Sequence, residues 1–178
     1  MTVPMALLAI LESSGATHGF ALKRRYDELL GRATELKYGQ VYSTLARLER
    51  DGLAQGMGLE KGEGADRRVY AITPDGMDEL ESWLMRPSPP GGRPSELFTR
   101  VVLAIVSGRS GEDVLVAQRT AHLARMREIT AARNEGDVID RLAGDFEMAH
   151  LEADLKWVEL AGQRMAKLVA EIGPEARS

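Results

Sequence analysis

Apolar residues recur at helical spacing in three short segments of the first half of the chain. The first helix is predicted over residues 5–12 and the second over residues 18–30, with Thr17 as the N-cap of the second. A third helix is predicted from about residue 40 to 50, and it stops at Asp51-Gly52. Three short helices in a row indicate a compact helical unit at the start of the chain.

The third predicted helix has two distinct faces. At 100° per residue, Val41, Leu45 and Leu48 fall together, which predicts a buried face. The opposite face is short, polar and basic, and consists of Gln40, Ser43, Ala46, Arg47 and Arg50. This helix is therefore the first candidate for an exposed functional surface.

Two segments of β-compatible residues follow, at 53–59 and 67–73, separated by a glycine-containing loop. They predict a two-stranded hairpin with a protruding tip. Thr73-Pro74-Asp75 then supplies an N-cap, a proline at the first helical position and an acid in the first turn, which opens a helix to about residue 85. The order helix, helix, helix, hairpin, helix is that of a winged helix-turn-helix domain.

A change in composition marks a boundary near the middle of the chain. Residues 87–94 are rich in proline and glycine and predict a linker between a first domain, 1–86, and a second, 95–178. The second domain has helical periodicity over residues 96–106, 112–133 and 138–172. The predicted fold is mainly α with a small β-hairpin: a winged helix-turn-helix domain followed by an all-helical dimerisation domain.

The last predicted helix carries a heptad seam. Its apolar positions alternate three and four apart, at Met148, Leu151, Leu155, Val158, Gly162, Met165, Val169 and Ile172. An apolar seam must be buried, and only two other helices of this half are available to cover it. We therefore expect a second copy of the chain to cover it, giving a homodimer whose interface includes Leu151, Leu155, Val158, Met165 and Val169.

Composition excludes several classes of protein. With 178 residues, 44% of them hydrophobic, the chain can bury a core. It has no cysteine, which excludes disulfide scaffolds, cysteine-ligated metals and thiol catalysis. Residues 3–11 are apolar but far shorter than the roughly 18 residues of a membrane span, so we expect a cytoplasmic protein without a membrane partner. The net charge of −4 does not indicate nucleic acid by itself.

Catalytic and metal sites are not predicted. Glu147-x-x-His150, with Asp154 one turn further on, has the spacing of half a di-iron site, but the chain lacks the second Glu-x-x-His that such a site needs. No metalloprotease, phosphate-loop or nucleophile-elbow motif occurs, and the three histidines are far apart in sequence. We expect a solvated helix face there, no cofactor and no enzyme activity.

Three blocks of the sequence resemble the PadR-type transcriptional regulators that have a long helical C-terminal dimerisation region. They are residues 17–22, 39–53 and 67–76, and the second is the most specific. Phe20 stands where tyrosine is frequent in that family, and Ser43 stands where proline is frequent. The resemblance implies a homodimeric repressor that binds a palindromic operator in double-stranded DNA and releases it on binding a small molecule or another signal.

The resemblance assigns DNA contact to the exposed face of the third helix. Gln40 can contact adenine and Arg47 guanine through two hydrogen bonds each, and the short Ser43 side chain allows close approach. Tyr38 and Tyr42 flank the helix start, where a phenol can donate to a phosphate. Half-buried packing explains Tyr42 equally well, and from periodicity alone the whole face fits an ordinary solvated surface.

The predicted hairpin supplies three further cations, Lys61, Arg67 and Arg68, which suit phosphates or the minor groove. Nearby acidic residues offset them. Because successive strand residues point to opposite faces, only one of Arg67 and Arg68 is expected to meet DNA, and the pattern does not identify which.

Two aromatic residues are candidates for an effector site. Trp157 is expected near the junction of the halves as the wall of a pocket, and Phe98 at the start of the helical half as another lining residue. The alternative to a regulator is a winged-helix adaptor that binds a protein without sequence-specific DNA binding, since the chain is negatively charged and the hairpin cations are partly offset.

Overall fold

The computed structural model describes residues 2–31, 36–60, 67–89, 94–132 and 137–174. Its first half comprises α1 (Thr2–Ser14), β1 (Thr17–His18), α2 (Gly19–Leu30), α3 (Tyr38–Arg50), β2 (Ala54–Glu60), β3 (Arg67–Ile72) and α4 (Pro74–Met85). The second half comprises α5 (Pro94–Val106), α6 (Gly111–Ala132), α7 (Val138–Gln163) and α8 (Met165–Ile172). The predicted class, mainly helical with a small antiparallel sheet, is confirmed. No helix within these ranges has the length and hydropathy needed to cross a bilayer.

A short strand that the sequence did not predict precedes α2. Thr17 and His18 pair antiparallel with Tyr70 and Val69 of β3, so the sheet has three strands in the order β1-β3-β2. The prediction that Thr17 caps α2 is wrong because Thr17 belongs to the strand. The cap is His18, whose Nδ1 atom accepts a 3.2 Å hydrogen bond from the amide of Ala21. The strand thereby fixes the start of α2 against the hairpin.

The start of α4 agrees with its sequence signal. The hydroxyl of Thr73 accepts a 3.1 Å hydrogen bond from the amide of Gly76 and donates a 2.7 Å bond to the carbonyl of Gly52. A Cβ atom at Gly76 would lie 2.1 Å from the carbonyl oxygen of Leu53, so glycine is needed for this close approach. These contacts join α4 to the turn between α3 and β2.

The hydrophobic core runs through both halves of the chain. Residues 5–11 of α1 are at most 5% exposed, because α2, α3 and α4 cover one part of this helix and α5 covers another. The same cluster includes Val158 of α7 and Met165 of α8. The two halves that the predicted linker joins therefore share one hydrophobic core. Residues 90–93 of that linker, predicted at 87–94, lie outside the described ranges.

The last helix is interrupted, whereas the periodicity predicted one helix over residues 138–172. The break is at Arg164, whose amide donates a 3.1 Å hydrogen bond to the carbonyl of Ala161. Gly162 has a low helix propensity, which favours a break at this point. The residues after the break form α8, which packs against α5.

Three members of the predicted seam are buried within one chain. Leu151, Val158 and Met165 are 0, 6 and 3% exposed. The argument that a second copy must cover the seam is wrong for these three residues, because α6 packs along α7 and α5 packs against α8. Leu155 is half-buried and Val169 is exposed, so these two residues remain accessible to a partner.

Four large apolar side chains near the start of α7 are exposed to solvent. Val138, Ile139, Leu142 and Phe146 are each 68 to 76% exposed. At 100° per residue they lie on one side of the helix, and we call this surface the α7 patch. Clusters of exposed apolar side chains are typical of interaction sites.

Candidate nucleic-acid interface

The helix α3 presents the two faces that its sequence predicts. Val41, Leu45 and Leu48 are at most 2% exposed, since this side packs on α1 and α2. The exposed side carries Gln40, Ser43, Ala46, Arg47 and Arg50. A helix held in the core by one face and polar on the other has the geometry that insertion into a major groove requires.

Gln40 and Ser43 use part of their hydrogen-bonding capacity within the helix. The Oε1 atom of Gln40 accepts a 3.0 Å bond from the amide of Lys37 and caps the helix start. The hydroxyl of Ser43 donates a 3.2 Å bond to the carbonyl of Gln40. A two-bond contact from Gln40 to adenine needs the Nε2 donor and the second lone pair of Oε1, neither of which the bond from Lys37 uses.

Arg47 has a different environment from its neighbour Arg50. The Nε atom of Arg50 donates a 2.9 Å bond to Asp51, and this bond raises the pKa of the Arg50 guanidinium. Arg47 is exposed and, among the residues described, pairs with no carboxylate. A free guanidinium can make two parallel bonds to guanine or to a phosphate. Arg47 is therefore the strongest candidate for reading bases.

Both predicted tyrosines lie against the start of α2. The rings of Tyr38 and Phe20 stack with their centroids 5.8 Å apart. The ring of Tyr42 lies so close to Gly19 that a Cβ atom there would be 2.8 Å from it. Tyr38 is 45% exposed and Tyr42 is 48% exposed, so each combines packing on the protein with access to solvent.

The two adjacent arginines of β3 have different partners. Arg68 donates to Oε1 of Glu49 at 2.6 Å, and the same oxygen accepts a 3.2 Å bond from the amide of Gly56. Arg67 instead lies over the ring of Phe20, 5.5 Å from its centroid, and has no ion pair within the described part of the chain. Arg68 thus ties the hairpin to the end of α3, while Arg67 forms no ion pair with a described residue.

The tip of the hairpin, residues 61–66, lies outside the described residues, and so does the predicted contact residue Lys61. Below the tip, Glu60 pairs in register with Arg67, and a bulge separates Gly56 from Gly58. Gly58 has a φ of +113°, a conformation that glycine adopts readily. The bulge increases the local twist of the hairpin.

The two candidate effector residues lie on different helices. Phe98 of α5 is 42% exposed. Trp157 of α7 is half-buried and packs against the core. The cavity of about 280 Å³ between α6 and α7 is lined by neither of them, and its wall includes Arg125 and Glu147. The sequence expectation of a pocket around Trp157 and Phe98 therefore stays a prediction.

The members of the half di-iron motif have separate partners. The guanidinium of Arg125 donates to the two carboxylate oxygens of Glu147 at 2.6 and 2.9 Å, which lowers the pKa of Glu147. Asp154 lies 3.3 Å from His122, and the Nδ1 atom of His150 lies 2.9 Å from the carbonyl of Phe146. Among the described residues, Glu147, His150 and Asp154 therefore each contact a different group of the protein.

Sequence reasoning missed two residues that organise this surface. The family resemblance marks Phe20 only as a departure from the usual tyrosine, and no sequence pattern singles out Glu49. The sequence does carry one signal for Phe20. Its side chain is apolar, yet its position in the first turn of α2 is outside the face that Leu22 and Tyr26 bury. Glu49 gives no comparable signal, because its partner Arg68 is distant in sequence.

Comparison with known proteins shows which family the chain resembles. Residues 7–82 match the transcriptional regulator PadR-like family. The probable transcriptional regulator Rv1176c of Mycobacterium tuberculosis is 32% identical over 128 residues, which cover 68% of this chain and 67% of that protein. The negative transcriptional regulator PadR of Bacillus subtilis is 23% identical over 126 residues, which cover 70% of this chain and 69% of that protein.

Solved structures of Bacillus subtilis PadR are also similar. Its complex with operator DNA has a TM-score of 0.45 at 20% identity and covers 88% of this chain and 95% of that one. Its complex with p-coumaric acid has a TM-score of 0.41 at 20% identity and covers 96% and 95%. The family match spans the elements from α1 to α4, and the identity to the mycobacterial regulator extends beyond them. The chain belongs to the PadR family of winged-helix transcriptional regulators.

Proposed function

We propose that the protein is a homodimeric repressor that binds a palindromic operator and releases it in response to a ligand. The observation that carries this proposal is the pair Arg47 and Arg67, two exposed arginines without a carboxylate partner among the described residues. They belong to the two elements that a winged-helix protein inserts into DNA. The name of the Bacillus subtilis relative, a negative regulator, supports repression rather than activation.

The base contacts are assigned to the exposed face of α3. Arg47 binds guanine, Ser43 allows close approach, and Gln40 contacts adenine through its Nε2 donor and the second lone pair of Oε1. The remaining candidates, Tyr38, Tyr42, Arg67 and Lys61, bind phosphates or the minor groove. Arg68, paired with Glu49, holds the hairpin in place.

The homodimer is assigned to the helical half. The α7 patch, together with Leu155 and Val169, offers apolar surface that one chain leaves uncovered. A two-fold interface brings the same patch of both copies together and relates their recognition helices by symmetry. Such a dimer reads half-sites about one helical turn apart, hence the palindrome.

The ligand response is supported by the Bacillus subtilis relative, which has been crystallised with p-coumaric acid. We assign the effector site to the region of Trp157 and Phe98. A ligand there releases DNA only if it binds the DNA-incompetent form of the dimer more tightly, because equal affinity for both forms shifts no population.

Binding to the duplex immediately upstream of the protein's own coding sequence tests the proposal. The purified protein is titrated against this duplex and a scrambled one at two salt concentrations, followed by fragments of its own genome. Selective, salt-sensitive binding that Gln40→Ala/Arg47→Ala abolishes is the expected result. Absence of selective binding to every fragment would overturn the proposal and favour the adaptor.

A further inference from the structure

An aromatic stack joins three elements at the proposed DNA surface. The rings of Phe20 in α2 and Tyr38 in α3 have centroids 5.8 Å apart and planes inclined by only 12°. The Cζ atom of Arg67 in β3 lies 5.5 Å from the Phe20 centroid, and the Nζ atom of Lys23 lies 5.1 Å from the Tyr38 centroid. We call this layered series Arg67–Phe20–Tyr38–Lys23 the cation–aromatic stack.

Burial in the core does not explain the position of Phe20. Its side chain is 44% exposed, whereas Leu22 and Tyr26 of the same helix are at most 5% exposed. A phenyl ring has no hydrogen-bonding group for a phosphate or a base edge. Any contribution of Phe20 to DNA binding must therefore act through the residues that it contacts.

The chemistry of the contact with Arg67 suits such an indirect role. The face of an aromatic ring attracts a guanidinium, which can lie over it while its N–H edges stay free to donate. Held in this way, Arg67 loses less conformational entropy when it binds a phosphate. The stacked ring of Tyr38 links the same platform to the first turn of α3.

The neighbouring arginine holds the opposite side of the hairpin. Arg68 is paired with Glu49 near the end of α3, while Arg67 reaches the start of α3 through Phe20 and Tyr38. The two consecutive arginines thus connect β3 to both ends of the recognition helix. This arrangement fixes the distance between the hairpin and the helix.

We propose that Phe20 is a positioning residue for DNA binding, which holds Arg67 and the start of α3 in one rigid surface so that the hairpin and the helix contact DNA together. This inference rests on the proposed function as a DNA-binding regulator. It identifies Arg67, rather than Arg68, as the hairpin arginine that contacts phosphate. It also explains why an exposed position carries a large apolar ring.

A double-mutant cycle tests this role. The affinity of Phe20→Leu, Arg67→Ala and the double variant for the upstream duplex is measured by fluorescence anisotropy at two salt concentrations. We expect Phe20→Leu to weaken binding about two- to fivefold and Arg67→Ala about five- to tenfold. The effect of Phe20→Leu should be smaller in the Arg67→Ala background than in the unaltered protein, because part of the role of Phe20 is to position Arg67.

Two further variants separate positioning from folding. Phe20→Tyr keeps an aromatic face and should retain affinity within about twofold of the unaltered protein. Met77→Leu changes an apolar residue of α4 that is 38% exposed, and it serves as the matched control. The melting temperature of each variant should stay within a few degrees of the unaltered protein, since the ring is outside the core and only its surface contacts are lost.

The outcomes distinguish this inference from the proposed function. If the unaltered protein does not bind any duplex selectively, the proposed function fails and the inference fails with it. If it binds and Phe20→Leu binds equally well, or if the effects of Phe20→Leu and Arg67→Ala simply add, only the positioning role is overturned. The positioning role would also be overturned if the melting temperature of Phe20→Leu were so low that partial unfolding accounted for its loss of affinity.

Discussion

The two halves of the chain differ in the kind of surface that each leaves exposed. In the winged-helix half, the inner face of α3 is fully covered, and α1 is enclosed with the help of α5 from the helical half. The polar face of α3 then displays Arg47, which has no carboxylate partner among the described residues. In the helical half, the α7 patch leaves four large apolar side chains at least 68% exposed.

This difference shows that the two halves suit partners of different chemistry. Free guanidinium groups suit a polyanion, since each can bind a phosphate or a base edge. Exposed aliphatic and aromatic side chains suit an apolar surface of the same kind, such as a second copy. The net charge of −4 is a sum over the whole chain, so it does not reveal Arg47 and Arg67, which pair with no carboxylate among the described residues.

Charging the α7 patch should have the largest effect. The double change Leu142→Glu/Phe146→Glu places two carboxylates per chain where we expect the apolar dimer interface. We expect the dimer dissociation constant to rise at least about 100-fold, as measured by analytical ultracentrifugation over a range of concentrations.

A change of the same kind outside the patch is the control. Val116 of α6 is 62% exposed, and Val116→Glu should leave the dimer intact. A dimer that survives the double change with unaltered affinity would show that another surface joins the two copies. The comparison between a half that exposes arginines and a half that exposes an apolar patch would then lose its functional meaning.

Removing Arg47 should have the next largest effect, this time on the winged-helix half. Arg47→Ala is expected to weaken binding to the selective duplex by about 1–3 kcal/mol while changing affinity for a scrambled duplex much less, because a base contact is lost. Competition binding with both duplexes measures this ratio. Arg119→Ala, which removes an exposed cation of α6, should leave the ratio unchanged. Equal losses on both duplexes would make Arg47 a phosphate contact.

Local signals explain how much of the winged-helix half could be predicted from sequence. Thr73-Pro74-Asp75 marked the start of α4 because caps act within a few residues. The strand of Thr17 and His18 could not be predicted, since two residues have no periodicity and their pairing depends on the distant β3. The same limit applies to Arg68, whose partner Glu49 is known only from the fold.

The helical half shows a different limit of sequence reasoning. Heptad spacing correctly indicates that Leu151, Val158 and Met165 are buried. It does not indicate which helix buries them, and α5 and α6 of the same chain do so. Conversely, the sequence does not predict that the α7 patch is exposed, because apolar residues have the same helical spacing in a core and on an interface.

The junction of the halves gives a pH-dependent prediction. His122 of α6 is 1% exposed, and its Nε2 atom lies 3.3 Å from Asp154 and 3.1 Å from the Nε2 atom of Gln118. Gln118 also bonds to the backbone of Ser88 in the linker segment. Burial lowers the pKa of His122, and this effect exceeds the opposite effect of Asp154.

Acid should therefore weaken the folded state through His122. Since its pKa is lower when folded than the ordinary 6.5 of an exposed histidine, the unfolded chain binds the proton first. The contribution of His122 to stability is complete above about pH 6.5 and falls as the pH decreases below that value. When the pH is lowered from 7.5 to 5.5, the melting temperature of the unaltered protein should decrease. That of His122→Gln should decrease by a few degrees less. The same substitution at the exposed His150 is the control, and equal decreases in all three proteins would contradict the prediction.

Releasing Arg68 from Glu49 should have the smallest effect and tests the difference between the two arginines of β3, one paired with a carboxylate and one stacked on a ring. Glu49→Gln keeps an oxygen that can accept the hydrogen bonds of Gly56 and Arg68, but it removes the charge that neutralises Arg68. We expect affinity for the duplex to rise about two- to threefold at low salt, with a salt dependence steeper by at most about one phosphate contact. Glu152→Gln, the same change at an exposed position of α7, should produce only the small effect of the altered net charge. Weaker binding by Glu49→Gln would instead show that the charge of Glu49, and not only its hydrogen bonds, is needed to hold the hairpin at the right distance from α3. Holding that distance would then matter more for affinity than one additional cation.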